Sequence, residues 1–182
     1  MKKLTLFIFI IIGILASSIS YVCFGVSCET EIGDDFEYEY TDYEPVYLDR
    51  DTLESSIKSS SARPVDQSGK IYIKGDYLFI NEKYEGIHVI DNSNPATPIN
   101  LGFIEVPGNI DISIKDNLLL VDNAVDLVTV DIGSFPTITE VSRVRNIFPE
   151  LLPPDLDYLP WSYSSSNRDD NTIIVGWERI TY

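Results

Sequence analysis

One pattern of apolar and polar positions occurs twice along the chain. Residues 71–81, IYIKGDYLFIN, return without a gap as ISIKDNLLLVD at residues 112–122, which is 41 positions further on. After the loss of one residue, GIHVID at residues 86–91 returns as DLVTVD at residues 126–131. Self-similarity at a fixed period is the signature of a repeat architecture.

Each copy reads as runs of β-branched and aromatic residues divided by turn signals. Gly75-Asp76 and Asp116-Asn117 predict two-residue hairpin loops, so each copy begins with a hairpin. The third and fourth strands of the two copies are predicted at residues 87–90, 99–106, 127–132 and 138–144. Four antiparallel strands in about forty residues are what a β-propeller blade requires.

The pattern therefore predicts an all-β fold of two four-stranded antiparallel, propeller-like blade repeats. Residues rich in Pro, Ser, Asn and Asp then predict a long loop, and TIIVGWE predicts one extra strand. Two blades and a strand leave the ring incomplete, since a ring needs at least about four blades, so we expect a truncated chain. The predicted segments are a signal peptide (1–27), an acidic, partly disordered tether with a short helix (28–68), repeat 1 (69–109), repeat 2 (110–148), the loop (149–171) and the start of a further repeat (172–182).

The third strand of each copy, IHVID at residues 87–91 and LVTVD at residues 127–131, resembles the LVIVD-repeat family of bacterial and archaeal cell-surface proteins. The resemblance covers roughly residues 69–146. It is strongest to surface lipoproteins that carry segments similar to GKIYIKGDYLFINEKYEGIHVIDNSNP. The resemblance implies a propeller-like fold and assigns no biochemical role. Members of the family usually continue with further repeats, which also indicates truncation.

The first 28 residues predict export. Lys2 and Lys3 precede the apolar run LFIFIIIGIL, and a small-residue region follows it. The apolar run is shorter than a membrane span of roughly 20 residues, although YVCFGV could extend it to an anchor. GVSC resembles the processing site of bacterial lipoproteins, with Cys28 as the lipidated residue, and Gly25 departs from that pattern. Simple cleavage and secretion is the alternative.

The charge of the chain bears on its partners. With 13 basic and 29 acidic residues the formal net charge is -16, which repels nucleic acid, so no nucleic-acid partner is predicted. The acidic residues crowd just after Cys28, in a run that predicts an extended spacer. Such a run also resembles signals that send lipoproteins to the outer surface. The expected location is the outer membrane or cell surface, with a periplasmic or secreted protein as the alternative.

No catalytic or metal-binding residue is predicted. His88 is the only histidine and stands where repeat 2 has Val128, so we interpret it as a packing or surface residue. Asp91 and Asp131 are interpreted as caps of the turns that follow them, with cation binding as the less favoured alternative. Trp161 and Trp177 could form a sugar-stacking platform but are more simply core or rim residues. No cofactor is predicted, because the residues after Cys28 have no thiol and one His.

These patterns favour a non-enzymatic, surface-tethered interaction or scaffold module. The predicted partners are a membrane, reached through the lipid on Cys28, and an unidentified protein or glycan. Unpaired strand edges also predict β-edge self-association. Two alternatives remain at this stage: part of a propeller-type hydrolase whose other blades are missing, and a remnant without independent function.

Overall fold

Antiparallel strand pairing organises the part of the chain that the structure describes. The structure is a computed structural model, and it describes residues 40–181. The predicted signal peptide, the lipidation residue Cys28 and the first part of the acidic tether lie outside the described residues. No helix within residues 40–181 is long and apolar enough to cross a membrane.

The first repeat forms a five-stranded sheet, sheet 1, with the order β2-β6-β5-β4-β3. The strand bounds are β2 (Lys58–Ser60), β3 (Ser68–Lys74), β4 (Tyr77–Glu82), β5 (Gly86–Asp91) and β6 (Ile99–Glu105). The four strands β3 to β6 are the predicted repeat. The fifth, β2, comes from the predicted tether and pairs with residues 103–105 of β6.

The second repeat forms a four-stranded sheet, sheet 2, with the order β10-β9-β8-β7. Its strands are β7 (Ile112–Lys115), β8 (Leu118–Asn123), β9 (Asp126–Ser134) and β10 (Thr137–Val144). The first hairpin of each repeat closes through the predicted two-residue loop. Gly75 and Asp116 lie in the left-handed region there, with φ of 55° and 54°, as a primed hairpin turn requires.

The main core lies between the two repeat sheets. Successive side chains of a strand alternate between faces, so each sheet has two faces. We call the face that bears Ile71, Ile73, Leu78, Ile80 and Ile90 the leading face of sheet 1, and its opposite, with Phe79, Ile87, Val89 and Ile104, the trailing face. The trailing face of sheet 1 packs on the leading face of sheet 2, which bears Ile112, Ile114, Leu119, Val121, Val128 and Val130.

A third, two-stranded sheet joins the two ends of the described segment. β1 (Tyr43–Asp49) pairs with β11 (Thr172–Arg179), the predicted extra strand. Helix α1 (Arg50–Glu54) follows β1 directly, and Asp49 caps it by accepting a hydrogen bond from Thr52 N. Leu53 of α1 is fully buried in a small core with Ile173 and Val175 of β11 and with the β8–β9 turn.

The all-β prediction is confirmed, but the folded part begins earlier than we predicted. The short helix lies within the predicted tether, as expected, whereas β1 and β2 were assigned to that tether and are strands. The acidic composition suggested a solvated spacer. In β1 the charged Glu44 and Asp49 are exposed, while Val46 and Leu48 pack in the small core, so acidic residues and a strand are compatible here.

Candidate functional site

An open groove runs between the end of sheet 1 that carries the β4–β5 turn and the β1–β11 sheet. Its volume is about 850 Å³, within the range of about 300–1,000 Å³ for ligand pockets. Three segments bring its main side chains together: the β4–β5 turn, the strap of residues 61–67 that precedes β3, and β11. The lining includes Arg63, Lys83, Tyr84, Glu85, Phe103, Glu105, Trp177, Glu178 and Arg179.

Charges of both signs stand on the rim of this groove. Arg63 pairs with Glu85, and Arg179 lies 3.8 Å from Asp42, so these charges are partly compensated. Lys83 and Glu178 are exposed, and neither has an ion-pair partner within residues 40–181. A ligand that carries both a cation and an anion could therefore satisfy the two of them.

Aromatic rings give the groove an apolar component. The Nζ of Lys83 lies 4.7 Å from the centre of the Tyr84 ring, and the guanidinium of Arg63 lies 3.7 Å from that of Phe103. Trp177 is buried, its Nε1 donates to the Leu151 carbonyl at 3.1 Å, and the Tyr163 ring meets it edge-on. Rings held in this way offer rigid contact area at little entropic cost.

A buried pair of ionisable side chains lies beneath the strap. His88 and Glu82 are both almost completely buried, and Nε2 of His88 donates to Oε2 of Glu82 at 2.7 Å. The backbone N–H groups of Asp66 and Gln67 also donate to the Glu82 carboxylate. Phe103, under Arg63, covers the His88 ring edge-on at 4.8 Å. The pair thus fixes one end of the strap that lines the groove.

Two opposing effects set the ionisation of Glu82. Burial raises the pKa of its carboxyl, whereas the hydrogen bonds from Gln67 N–H, from His88 and from Asp66 N–H lower it. The hydrogen bonds prevail, so the pKa lies below its ordinary value. Glu82 is therefore an anionic anchor for the strap at neutral pH, and it points into the protein rather than into the groove.

Asp126 is the centre of a second buried network, which ties α1 to sheet 2. Its side chain is fully buried and accepts hydrogen bonds from Arg50 at 2.7 Å, from Arg143 at 2.9 Å and from the Asn146 N–H at 3.0 Å. Burial raises the pKa of Asp126, but these donors outweigh burial and hold the pKa below its ordinary value. Arg143 also donates to Asn123, which completes the network.

A third polar network joins the two repeats. The Asn109 side chain donates to Asp122 at 2.7 Å and accepts a hydrogen bond from Asn81, so it bridges β4 and β8. The N–H groups of Ile110 and Asp111 also donate to Asp122. Burial raises the pKa of Asp122 more than these hydrogen bonds lower it. The role of this network is to fix the connection between the sheets.

The residues singled out from sequence are dispersed over the molecule. Asp91 and Asp131 each accept an N–H bond from the residue two positions on, at 2.8 Å, which confirms the turn-cap interpretation. His88 packs in the interior, so it is a packing residue rather than a surface residue. Trp161 is 79% exposed and does not line the groove, whereas Trp177 is buried, so the two tryptophans form no common platform.

No group of three or more His, Cys, Asp or Glu side chains within residues 40–181 is arranged to hold a metal ion. The groove itself was not predicted, since its lining comes from separate segments that no spacing rule connects. The one usable signal was the doublet Lys83-Tyr84 in a hairpin loop. Its counterpart in repeat 2 is the loop Ala124-Val125, whose side chains are buried, whereas Lys83 is exposed and Tyr84 is half-buried.

Comparison with protein families adds one decisive observation. Residues 67–104 match the model of the LVIVD repeat. The chain contains an LVIVD repeat. The matched stretch holds β3, β4, β5 and all of β6 but its last residue, so the LVIVD repeat corresponds to one four-stranded unit of this fold, and the resemblance stated above is confirmed for that stretch. No curated protein and no solved structure matches the chain.

Proposed function

We propose that this LVIVD-repeat chain is a non-enzymatic interaction module that a lipid on Cys28 holds at the cell surface. We further propose that its groove binds a peptide segment of a protein partner. The observation that carries the proposal is the groove itself: it has a volume of about 850 Å³, is aromatic in part, and carries on its rim a cation and an anion that have no ion-pair partner among the described residues.

The assignment of ionisable groups supports binding over catalysis. Glu82 and His88 are engaged with the strap, and Asp126 is engaged with two arginines. Each of these buried groups stabilises a connection between segments, and none of them lines the groove. The groove contributes instead exposed charges and aromatic rings, which are the components of protein-recognition surfaces.

A peptide fits these features better than a glycan or a lipid headgroup does. A peptide can present an acidic group to Lys83 and a basic group to Glu178 while an apolar side chain lies against Tyr84. A neutral glycan would stack on the aromatic rings but would give neither Lys83 nor Glu178 an oppositely charged partner. The net charge of -16 favours a basic protein partner by electrostatic steering.

The test is selection of displayed random peptides of about 12 residues on the purified full-length chain, followed by binding measurements on the selected peptides. The two-charge argument predicts that Lys83→Glu and Glu178→Lys each weaken binding by roughly tenfold, the loss of one charge-assisted contact. Asp170→Lys is the matched control for Glu178→Lys, because Asp170 is exposed and does not line the groove. Its affinity should be unchanged.

Two results would overturn the peptide assignment. One is a selection that yields no enriched sequence. The other is binding that both groove variants leave intact. A parallel glycan array, probed with the same proteins, separates a sugar ligand from a peptide: signals on the array that Tyr84→Ala abolishes would replace the peptide by a glycan.

The anchor requires its own experiment. Metabolic labelling with a palmitate analogue is compared between the natural chain and Cys28→Ala, and both are followed by membrane fractionation. Label and membrane association that depend on Cys28 are expected. Unlabelled protein outside the cytoplasm in both cases would contradict the anchor and leave a secreted or periplasmic module.

A further inference from the structure

The two repeats bear apolar residues at five equivalent positions of their leading faces but differ in what covers them. Five positions of sheet 1 correspond to five of sheet 2 at the repeat spacing: Ile71/Ile112, Ile73/Ile114, Leu78/Leu119, Ile80/Val121 and Ile90/Val130. In sheet 2, Ile112 and Ile114 are 8% and 7% exposed, because sheet 1 lies on them. In sheet 1, Ile71 and Ile73 are 61% and 67% exposed.

Part of the leading face of sheet 1 is closed off by the strap. Arg63 stacks on Phe103 at 3.7 Å, and the Asn100 side chain donates to the Arg63 carbonyl at 2.8 Å, so residues 61–67 cover β5 and β6. The strap leaves β3 and the adjoining part of β4 open. The open area is thus the part of the leading face formed by β3 and the adjoining part of β4. The equivalent part of sheet 2, on β7 and β8, is covered by sheet 1.

The trailing face of sheet 2 is open in the complementary way. Leu118, Leu120, Leu127 and Val144 are its apolar residues, and Leu118 and Val144 are 36% and 48% exposed. The equivalents of Leu120, Leu127 and Val144 in sheet 1 are Phe79, Ile87 and Ile104, which form the main core. Within residues 40–181 there is therefore one open face of each kind.

Charges at the existing junction show what a second junction would contain. Within the chain, Lys70 of sheet 1 pairs with Asp111 at the start of sheet 2. Lys70 and Asp111 are also equivalent to each other at the repeat spacing. Suppose that the trailing face of sheet 2 of one copy approached the leading face of sheet 1 of a second copy in the same geometry. Asp111 of the first copy would then take the place that Lys70 has at the existing junction, and Lys70 of the second copy would take the place of Asp111. The two charges would again be opposite.

A second pair of positions repeats this relation. Lys74 and Asn117 line the same cleft between sheets 1 and 2. Their equivalents are Lys115 and Asp76. The same approach would therefore place the exposed Lys115 of one copy beside the exposed Asp76 of the other. The second junction would then have a pair of opposite charges at each of its two ends.

From these relations we infer that the chain associates with a second copy head to tail. The trailing face of sheet 2 of one copy lies on the open part of the leading face of sheet 1 of the next, over β3 and the adjoining part of β4, in the relative orientation that joins sheets 1 and 2 within a copy. Such a contact is heterologous, so each added copy offers the same two faces again, and the assembly either closes into a ring or grows. This inference is independent of the groove and its ligand.

Sedimentation velocity of the full-length chain in mild detergent, over a concentration series, tests the inference. The natural chain is expected to show species larger than a monomer. Ile73→Glu blocks the leading face and Leu118→Glu blocks the trailing face, and each is expected to weaken association by more than about tenfold because a carboxylate would be buried without a partner. Both side chains are exposed in the monomer, so folding is retained, which the melting temperature verifies.

Ile99→Glu is the matched control. Ile99 is 60% exposed and is the register partner of Asp91, so its side chain does not belong to the leading face. Self-association of the Ile99→Glu variant should therefore equal that of the natural chain. The head-to-tail geometry is tested by mixing the two blocked variants. The Ile73→Glu variant retains the trailing face of sheet 2, and the Leu118→Glu variant retains the leading face of sheet 1. One copy of each can therefore bind the other, and the mixture is expected to form a dimer and nothing larger.

Each of three outcomes overturns the inference. The first is a natural chain that remains a monomer up to about 200 µM, a concentration well above that at which specific complexes form. The second is association that neither blocking variant weakens. The third is a mixture of the blocked variants that forms no dimer, which would replace the head-to-tail contact by a symmetric one.

Discussion

Single residues stabilise this fold mainly by connecting segments that lie far apart in sequence. Glu82 holds the strap through the N–H groups of Asp66 and Gln67, and Asp126 holds α1 against sheet 2 through Arg50. In both cases a buried carboxylate satisfies several donors. Such a group is costly to bury and more costly to leave unpaired, so each junction depends on its complete set of partners.

Glu82→Gln tests this role through pH. The folded pKa of Glu82 lies below the ordinary value of about 4.3, so its contribution is present above that value and is lost as the pH falls through the folded pKa. At pH 7 the variant should be less stable than the natural chain by about 2 kcal/mol, the value of hydrogen bonds to a charged acceptor. The difference should shrink in denaturant titrations as the pH falls below that ordinary value, since the unfolded chain then binds a proton that the folded chain takes up only at a lower pH.

The control for this titration is Glu85→Gln. Glu85 lies three residues on, its carboxylate is exposed, and it pairs with Arg63. A surface pair contributes little, so the control should change stability by no more than about 0.5 kcal/mol at either pH. A Glu82→Gln difference that stays constant from pH 7 to pH 3 would show that the variant disturbs packing rather than an ionic anchor.

At the scale of elements, the strands that the sequence predicted are those with local partners. Each strand of the repeats pairs with its neighbour in sequence, and the two-residue loops Gly75-Asp76 and Asp116-Asn117 fix the register. β1 and β2 were missed because their partners are distant: β1 pairs with β11, and β2 pairs with β6. A sequence pattern read over about ten residues does not show which distant strand is the partner. The acidic composition of residues 28–49 also indicated a spacer rather than a strand.

Leu53 provides a test of how firmly the α1 segment is held. Its side chain is fully buried against Ile173 and Val175, so Leu53→Ala leaves a cavity and should cost about 3 kcal/mol of unfolding free energy. Because α1 follows β1 directly, the amides of β1 should lose protection in hydrogen exchange more than those of sheet 2. Leu152→Ala, at a position 39% exposed, is the control and should cost no more than about 0.5 kcal/mol. Equal loss of protection in β1 and sheet 2 would contradict a separate small core.

At the scale of the whole molecule, the groove and the two open faces could not be read from sequence. The groove is assembled from the β4–β5 turn, the strap and β11, and the position of β11 depends on its long-range pairing with β1. The open faces follow from the repeat pattern only once the order of the sheets and the path of the strap are known. What sequence did provide was the equivalence of positions in the two copies, on which the head-to-tail contact rests.

The pairing of β1 with β11 forms one wall of the groove, and an engineered disulfide tests it directly. Glu44 and Glu178 are register partners and both are exposed, so Glu44→Cys with Glu178→Cys places two thiols on the same face of an antiparallel pair. Paired Cα atoms there are about 4.5–5.5 Å apart, within the range that a disulfide spans. With Cys23 and Cys28 changed to Ser, mild oxidation should join the ends and raise stability by about 4 kcal/mol, since the closed loop is long.

The neighbouring pair supplies the control. Glu44→Cys with Arg179→Cys moves one thiol by a single residue, to the opposite face of β11, and Arg179 is the register partner of Tyr43. Oxidation of this variant should leave the thiols free, as measured by a thiol-reactive dye and by mobility on a non-reducing gel. If the shifted pair cross-linked and the Glu44–Glu178 pair did not, the register of the β1–β11 sheet would be wrong, and the side chains assigned to that wall of the groove would have to be reassigned with it.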